Sequence, residues 1–232
     1  MHSYVASDAV KQRLLRRQGK LLSHDTIEAA RSALVVVDMQ NHFVGEGFPA
    51  EIPMSREIVP TINRLAAAMR AAGGAVVWIQ TTAAGALEQW GNHHRYMLTP
   101  ERVQKRLASL DEAAEGFKLY PALESAPSDL RIKKIKYSAF IQGSSDIDAQ
   151  LKNHGIDTVL ITGTATNVCC ESTARDAMLL DYRVIMLSDA NATWTDEEHA
   201  ATLNSFMLFF GDVMTADEAI AKLVPVQRRK TA

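Results

Sequence analysis

Short apolar runs alternate with longer amphipathic stretches along this chain. ALVVVD (33–38), AVVWIQ (75–80), DTVLITG (157–163) and RVIMLSD (183–189) are nearly continuous in aliphatic and β-branched residues. A run of that length without polar alternation predicts a strand covered on both faces, as in a parallel sheet between helices. LRIKKIK (130–136) is a weaker, alternating strand candidate. Helical periodicity fills the intervals at 58–74, 144–156, 170–182 and 196–210. The first of these stops at Gly73-Gly74; the second opens on Ser144-Ser145-Asp146 and stops at His154-Gly155, as helix ends commonly do. Strand, helix, strand, helix predicts a doubly wound α/β domain.

Two segments fall outside this rhythm. Residues 1–30 contain a basic helix candidate, capped by Ser7 and running to about Gln18. They predict a solvated or subunit-contacting arm ahead of a single domain over 31–232. Residues 82–127 carry Trp90, His93, His94 and Arg95, then a charged helical piece near 100–114. An excursion of that length between strands predicts a lid or a subunit contact.

Composition narrows the function classes. At 232 residues the chain is long enough to build a substantial core. A net charge of -2 argues against a nucleic-acid partner, which would call for a strong basic excess. No apolar run reaches the roughly 18 residues of a membrane span. The N-terminal stretch lacks the apolar core of a secretory signal, and its Asp8 counts against a transit peptide. The chain has two cysteines, and they are adjacent, Cys169 and Cys170. Neighbours in sequence rarely meet disulfide geometry, so these are expected to be free thiols in a reducing, cytoplasmic setting.

Ligands of open α/β sheets bind beyond the carboxyl ends of the strands. The predicted strands deliver Asp38, Lys134 and, after the loop 164–168, Cys169 to that one edge. Each alone is unremarkable: an acid at a strand end, a lysine in a basic run, a small apolar thiol. Together they are an acid, a cation and a nucleophile. Cys169 is predicted at a helix start, where unpaired N–H groups and a neighbouring ammonium would lower its pKa. Asp38 could take the thiol proton and return it to a leaving group. Cys170, turned about 100° around the helix, should pack inward.

The motifs LVVVDMQNHFV (34–44), KIKYSAF (134–140) and TGTATNVCCESTARDA (162–177) resemble the isochorismatase-like cysteine hydrolases. That group includes ureidoacrylate and N-carbamoylsarcosine amidohydrolases, biuret hydrolases and nicotinamidases. The resemblance spans about residues 30 to 224. It implies a three-layer α/β/α fold around a six-stranded, mainly parallel sheet, assembled as a homodimer or homotetramer. It implies a catalytic triad of Asp38, Lys134 and Cys169. It also implies a non-proline cis peptide within 163–166, with the N–H groups of Ala165 and Cys169 as oxyanion hole. Gln40, Asn41, Phe43, Trp90, Tyr137 and Phe140 flank the motifs and are candidates for the substrate pocket. The metal-binding motif of nicotinamidases has no counterpart after Thr81-Thr82-Ala83, so neither a metal nor another cofactor is expected. True isochorismatases share YSAF but lack the cysteine. The expected reaction is therefore hydrolysis of a small amide, ureido or carbamoyl compound through a thioester. Vinyl-ether hydrolysis and a catalytically silent oligomeric scaffold are the alternatives.

Overall fold

The computed structural model describes residues 2–226; Met1 and the end of the expected domain, 227–232, lie outside the described residues. Strands β1 (Ser32–Val37), β2 (Ala75–Thr81), β3 (Leu130–Lys134), β4 (Thr158–Thr164), β5 (Arg183–Ala192) and β6 (Asp212–Met214) form one sheet. Their order is β3-β2-β1-β4-β5-β6, and every neighbouring pair is parallel. The chain winds outward from β1 to β3, returns beside β1 and winds out the other way. That reversal opens a crevice at the carboxyl ends of β1 and β4. The isolated third strand candidate, 130–136, is real; β6, three residues long, carries too little pattern to be seen in advance.

Among the described residues seven longer helices accompany the sheet: α1 (Asp8–Gln18), α2 (Val59–Ala72), α3 (Pro100–Ser109), α4 (Ile147–Asn153), α5 (Glu171–Leu179), α6 (Asp196–Phe209) and α7 (Ala216–Lys222). The strand period of two divides β1 between two cores. Ala33, Val35 and Val37 pack with residues of α4, α5 and α6, whereas Leu34 and Val36 pack with α2 and α7. On α2 the buried positions Ile62, Leu65, Ala66 and Met69 follow the helical period that this demands. The architecture is thus the three-layer α/β/α sandwich expected.

The N-terminal arm departs from expectation. Ser7 does cap α1, accepting the N–H of Val10 at 3.3 Å. But the arm is not merely solvated. Leu14 is buried in the core, Arg17 donates to the carbonyl of Leu208, and Tyr4 donates to Asn204 at 3.0 Å. The excursion 82–127 holds short helices at Ala86–Gln89 and Gly91–Tyr96 before α3, and no sheet strand among the described residues. None of the helices described is long and apolar enough to cross a membrane.

Candidate active site

β1 ends at Val37, and the next residue, Asp38, takes a left-handed backbone with φ 53. Aspartate tolerates that region better than most side chains, and such residues cluster at functional sites. Its N–H donates to the carbonyl of Ile79 at 3.0 Å, which ties the end of β1 to β2. Alongside, β4 passes so close that a Cβ on Gly163 would lie 2.1 Å from the carbonyl oxygen of Val37. Gly163 also has φ 115, so only glycine serves there.

Lys134 closes β3, two strands away, and its side chain is 1% exposed. Nζ lies 2.8 Å from Asp38 Oδ2 and donates to Thr81 Oγ1 at 2.6 Å and to the Lys136 carbonyl at 3.1 Å. It also lies 3.6 Å from Cys169 Sγ. The Thr81 hydroxyl in turn donates to Asp38 Oδ1 at 2.9 Å. Asp38 is fully buried, with Oδ2 held in the ion pair to Lys134. Thr81 is the residue the sequence did not announce: it spans the gap that β2 leaves between an acid on β1 and a cation on β3.

Burial alone would lower the Lys134 pKa, but the adjacent Asp38 and Cys169 outweigh it and hold the ammonium charged. For Cys169 the balance goes the other way. Burial pushes the thiol up to about 12, Lys134 pulls it back, and Asp38 opposes ionisation by charge and hydrogen bond. The expectation of an acidic thiol is therefore corrected: the resting site holds a thiol, and a base is needed to ionise it. Nor is Cys169 in an α-helical first turn. Residues Thr166–Cys170 form a wider π-type turn that leads into α5. Such turns are rare and recur at functional sites. The peptide Thr164–Ala165 is cis, inside the segment where the resemblance puts one. Cys170 is fully buried, its thiol 4.0 Å from the Thr162 carbonyl, and faces the core as expected.

Above Cys169 opens a cavity of about 790 Å³, with Ala165 and Val168 beside the thiol, Phe43, His93 and Tyr137 as walls, and Trp194 at the rim. The opposite side is α3. Arg102, Lys105 and Arg106 all line the cavity, and their i, i+3, i+4 spacing sets them on one helix face. Thr99 caps that helix and Pro100 opens it. The Arg106 side chain makes no hydrogen bond or ion pair among the described residues. Its charge nevertheless reaches the site. Burial first, then Arg106, lowers His42 to about 3 and His93 to about 4, so both imidazoles are neutral at physiological pH.

Residues 32–218 match the isochorismatase domain. The chain belongs to the isochorismatase family. It is 33% identical over 213 residues to a ureidoacrylate amidohydrolase of Variovorax paradoxus, covering 86% of this chain and 84% of that one. A cysteine hydrolase from Pseudomonas syringae pv. phaseolicola superposes with a TM-score of 0.73 at 28% identity, covering 87% of this chain and 96% of the other. An N-carbamoylsarcosine amidase from Thermoplasma acidophilum superposes with a TM-score of 0.63 at 25% identity, covering 81% and 97%.

In this isochorismatase-family chain the six pocket candidates divide. Phe43 and Tyr137 do line the cavity. Trp90 stands behind it, stacked on His93 at 3.9 Å and edge-on to Tyr137 at 4.7 Å, so it braces the wall. Phe140 belongs to the core, against Tyr182 at 5.2 Å. Gln40 faces the other way and clamps Thr81, accepting its N–H at 2.7 Å and donating to its carbonyl at 3.0 Å. Asn41 donates to the carbonyl of Glu115 at 2.9 Å and holds the cover segment instead. Among the described residues no three His, Cys, Asp or Glu side chains converge as metal ligands. The cationic face of α3 was the missed feature. Its signal was in the sequence: RVQKR after Thr99-Pro100 spaces three cations on one side of a helix.

Proposed function

We propose that this protein is a cysteine hydrolase that cleaves a C–N bond of a small molecule through a thioester on Cys169. One observation carries the reading: a buried thiol, a buried carboxylate and a buried ammonium meet at the floor of a cavity large enough for a small substrate. A thiol held up by burial needs a base at the moment of attack. Asp38 is the group in place, hydrogen-bonded to the thiol and paired with Lys134.

The sequence of steps follows from those positions. The Cys169 proton passes to Asp38 as sulfur attacks the substrate carbonyl carbon. The developing oxyanion is held by the N–H groups of Ala165 and Cys169, both beside the cavity. Lys134 pairs with Asp38 and stabilises the charge passing between sulfur and carboxylate. Protonated Asp38 then delivers its proton to the departing nitrogen as the C–N bond breaks. A water, deprotonated by Asp38, hydrolyses the thioester and regenerates the thiol. Vinyl-ether cleavage has no use for a thiol paired with a base, so the amide reading is favoured.

The substrate side is set by Arg106. An unpaired guanidinium facing a cavity favours an anionic partner, most simply a carboxylate. A small ureido or carbamoyl acid therefore fits best, in line with the ureidoacrylate amidohydrolase to which the chain is similar. The protein is further expected to act in the cytoplasm as a homodimer or homotetramer, which size-exclusion with light scattering tests. Ammonia release is to be screened over small amides, ureido acids and carbamoyl compounds, with Cys169→Ser as blank. Turnover of an acid by the wild type and none by the blank is expected. Equal turnover by both would end the cysteine mechanism.

A further inference from the structure

The N-terminal arm ends in a buried histidine that touches the active-site loop through two separate routes. His2 is 4% exposed although it stands at the start of the chain. Its Nε2 accepts the N–H of Thr193 at 3.0 Å. The same nitrogen lies 3.1 Å from the Thr193 carbonyl, and Nδ1 lies 2.6 Å from Asp196 Oδ1. The two bonds pin the turn 193–196 from both ends. Trp194, at the cavity rim, is inside that turn. Thr193 then donates through its hydroxyl to Asn167 Oδ1 at 2.7 Å.

The second route runs through His199. The His2 ring stacks on it at 4.6 Å with 21° between the planes. His199 is fully buried, and burial lowers its pKa to about 4, so it is neutral. Its Nε2 lies 3.0 Å from the Ser188 carbonyl, which can only accept, so Nδ1 is left to accept the Thr166 hydroxyl at 2.9 Å. Thr166 and Asn167 are the two residues immediately after Ala165. They are the start of the turn that ends in Cys169 and Cys170.

We infer that His2 is a positioning residue of the active site, holding both the rim turn 193–196 and the loop 165–167 in place. The arm is then a working part of the site. Without the His2 ring, Thr193 loses an acceptor, the 193–196 turn loses its clamp, and His199 loses the ring packed on it. Each loss loosens the loop that carries the proposed oxyanion donors. The catalytic half of this inference rests on the hydrolase reading above; the mechanical half does not.

The test compares His2→Ala with Leu14→Ala, which loosens the same arm where α1 packs on α6. Hydrogen exchange read by mass spectrometry needs no substrate. His2→Ala should speed exchange about 10-fold in 164–170 and 193–196, as expected when a local opening becomes easier. Leu14→Ala should speed it only in the arm and around α6. On the acid found by ammonia release, His2→Ala should lower kcat about 10-fold, because a misaligned oxyanion loop weakens transition-state stabilisation. Free imidazole, which can refill the ring-shaped hole, should restore part of the kcat loss and part of the exchange protection. Exchange gains confined to the arm, or equal gains at 164–170 in both variants, overturn the inference. If the wild type turned over no amide, the hydrolase reading would fall while the exchange result still decided this one.

Discussion

At the floor of the cavity Asp38 and Lys134 stand at or just beyond strand ends, and the turn carrying Cys169 follows a third strand. The cover is built from α3 and from the turn at 193–196. The floor is held by the sheet itself. Gly163 sits against Val37, Thr81 bridges Asp38 to Lys134, and Gln40 clamps Thr81. The cover is exposed along α3, whereas in the turn Thr193 is fully buried and bonded to His2 and Asn167. None of the residues of α3 is buried, and Trp194 is 52% exposed. The floor can therefore hold the reacting groups in fixed positions, whereas the α3 side of the cover can vary with the substrate. Chemistry belongs to one and recognition to the other.

Mutation should separate the two. Asp38→Asn or Cys169→Ala is expected to remove essentially all ammonia release, a loss on the order of 10⁴-fold or more, as when a member of a catalytic triad is deleted. Comparable loss from a cover residue would break the distinction. Lys134→Met should come next. It should cost about 10²- to 10³-fold in kcat through lost electrostatic stabilisation. It should also cost roughly 3–5 kcal/mol in urea unfolding, because Asp38 is left buried without its partner.

Arg106→Gln tests the cover. A charge-assisted bond to a substrate carboxylate accounts for about 1.5–3 kcal/mol, so KM for an anionic substrate should rise roughly 10- to 100-fold with kcat little changed. A matched neutral amide should show no change, and neither should urea stability, since the Arg106 side chain has no partner to lose. Asn41→Ala should have the smallest effect on catalysis, within about twofold in KM, as it removes a bond to the Glu115 carbonyl away from the cavity. A large KM effect there would put the cavity wall in the wrong place.

The pH dependence of Cys169 sharpens the picture of the floor. A pKa pushed up to about 12 leaves little thiolate at neutral pH. Labelling by methyl methanethiosulfonate should rise about tenfold per pH unit above neutrality, because thiolate is the reactive form. A plateau already at pH 7 would mean that Lys134 wins over burial. The linkage has the matching sign. The folded thiol binds its proton more tightly than an unfolded one, so its contribution to stability is full below the unfolded pKa. That contribution is lost as pH rises toward the folded value.

The same division marks what could be read in advance. Four continuous apolar runs announced β1, β2, β4 and β5, and the rule for open sheets then placed Asp38, Lys134 and Cys169 on one edge before any coordinates. Those features are local: a pattern of period two, and a residue at its end. Thr81 and Gln40 were hidden because their role depends on strand order, with β2 lying between β1 and β3. Phe140 and Asn41 were misassigned because nearness in sequence to a reactive residue does not fix which way a side chain points. The thiol pKa was misjudged because a helix start and a lysine are visible in sequence, while complete burial is not. The basic helix suggests a solvated or subunit-contacting arm; His2 and Leu14 are single residues with no periodicity to betray that they are buried.

The claim that everything else depends on is a covalent bond to one of two adjacent sulfurs. Acid-quenching the enzyme during turnover, digesting it and weighing the peptide that holds both cysteines tests it. The acyl group of the substrate should appear on Cys169, at a mass that excludes the leaving amine, and should be absent in Asp38→Asn. Steady turnover with no adduct at any time point, or an adduct on Cys170, would contradict it.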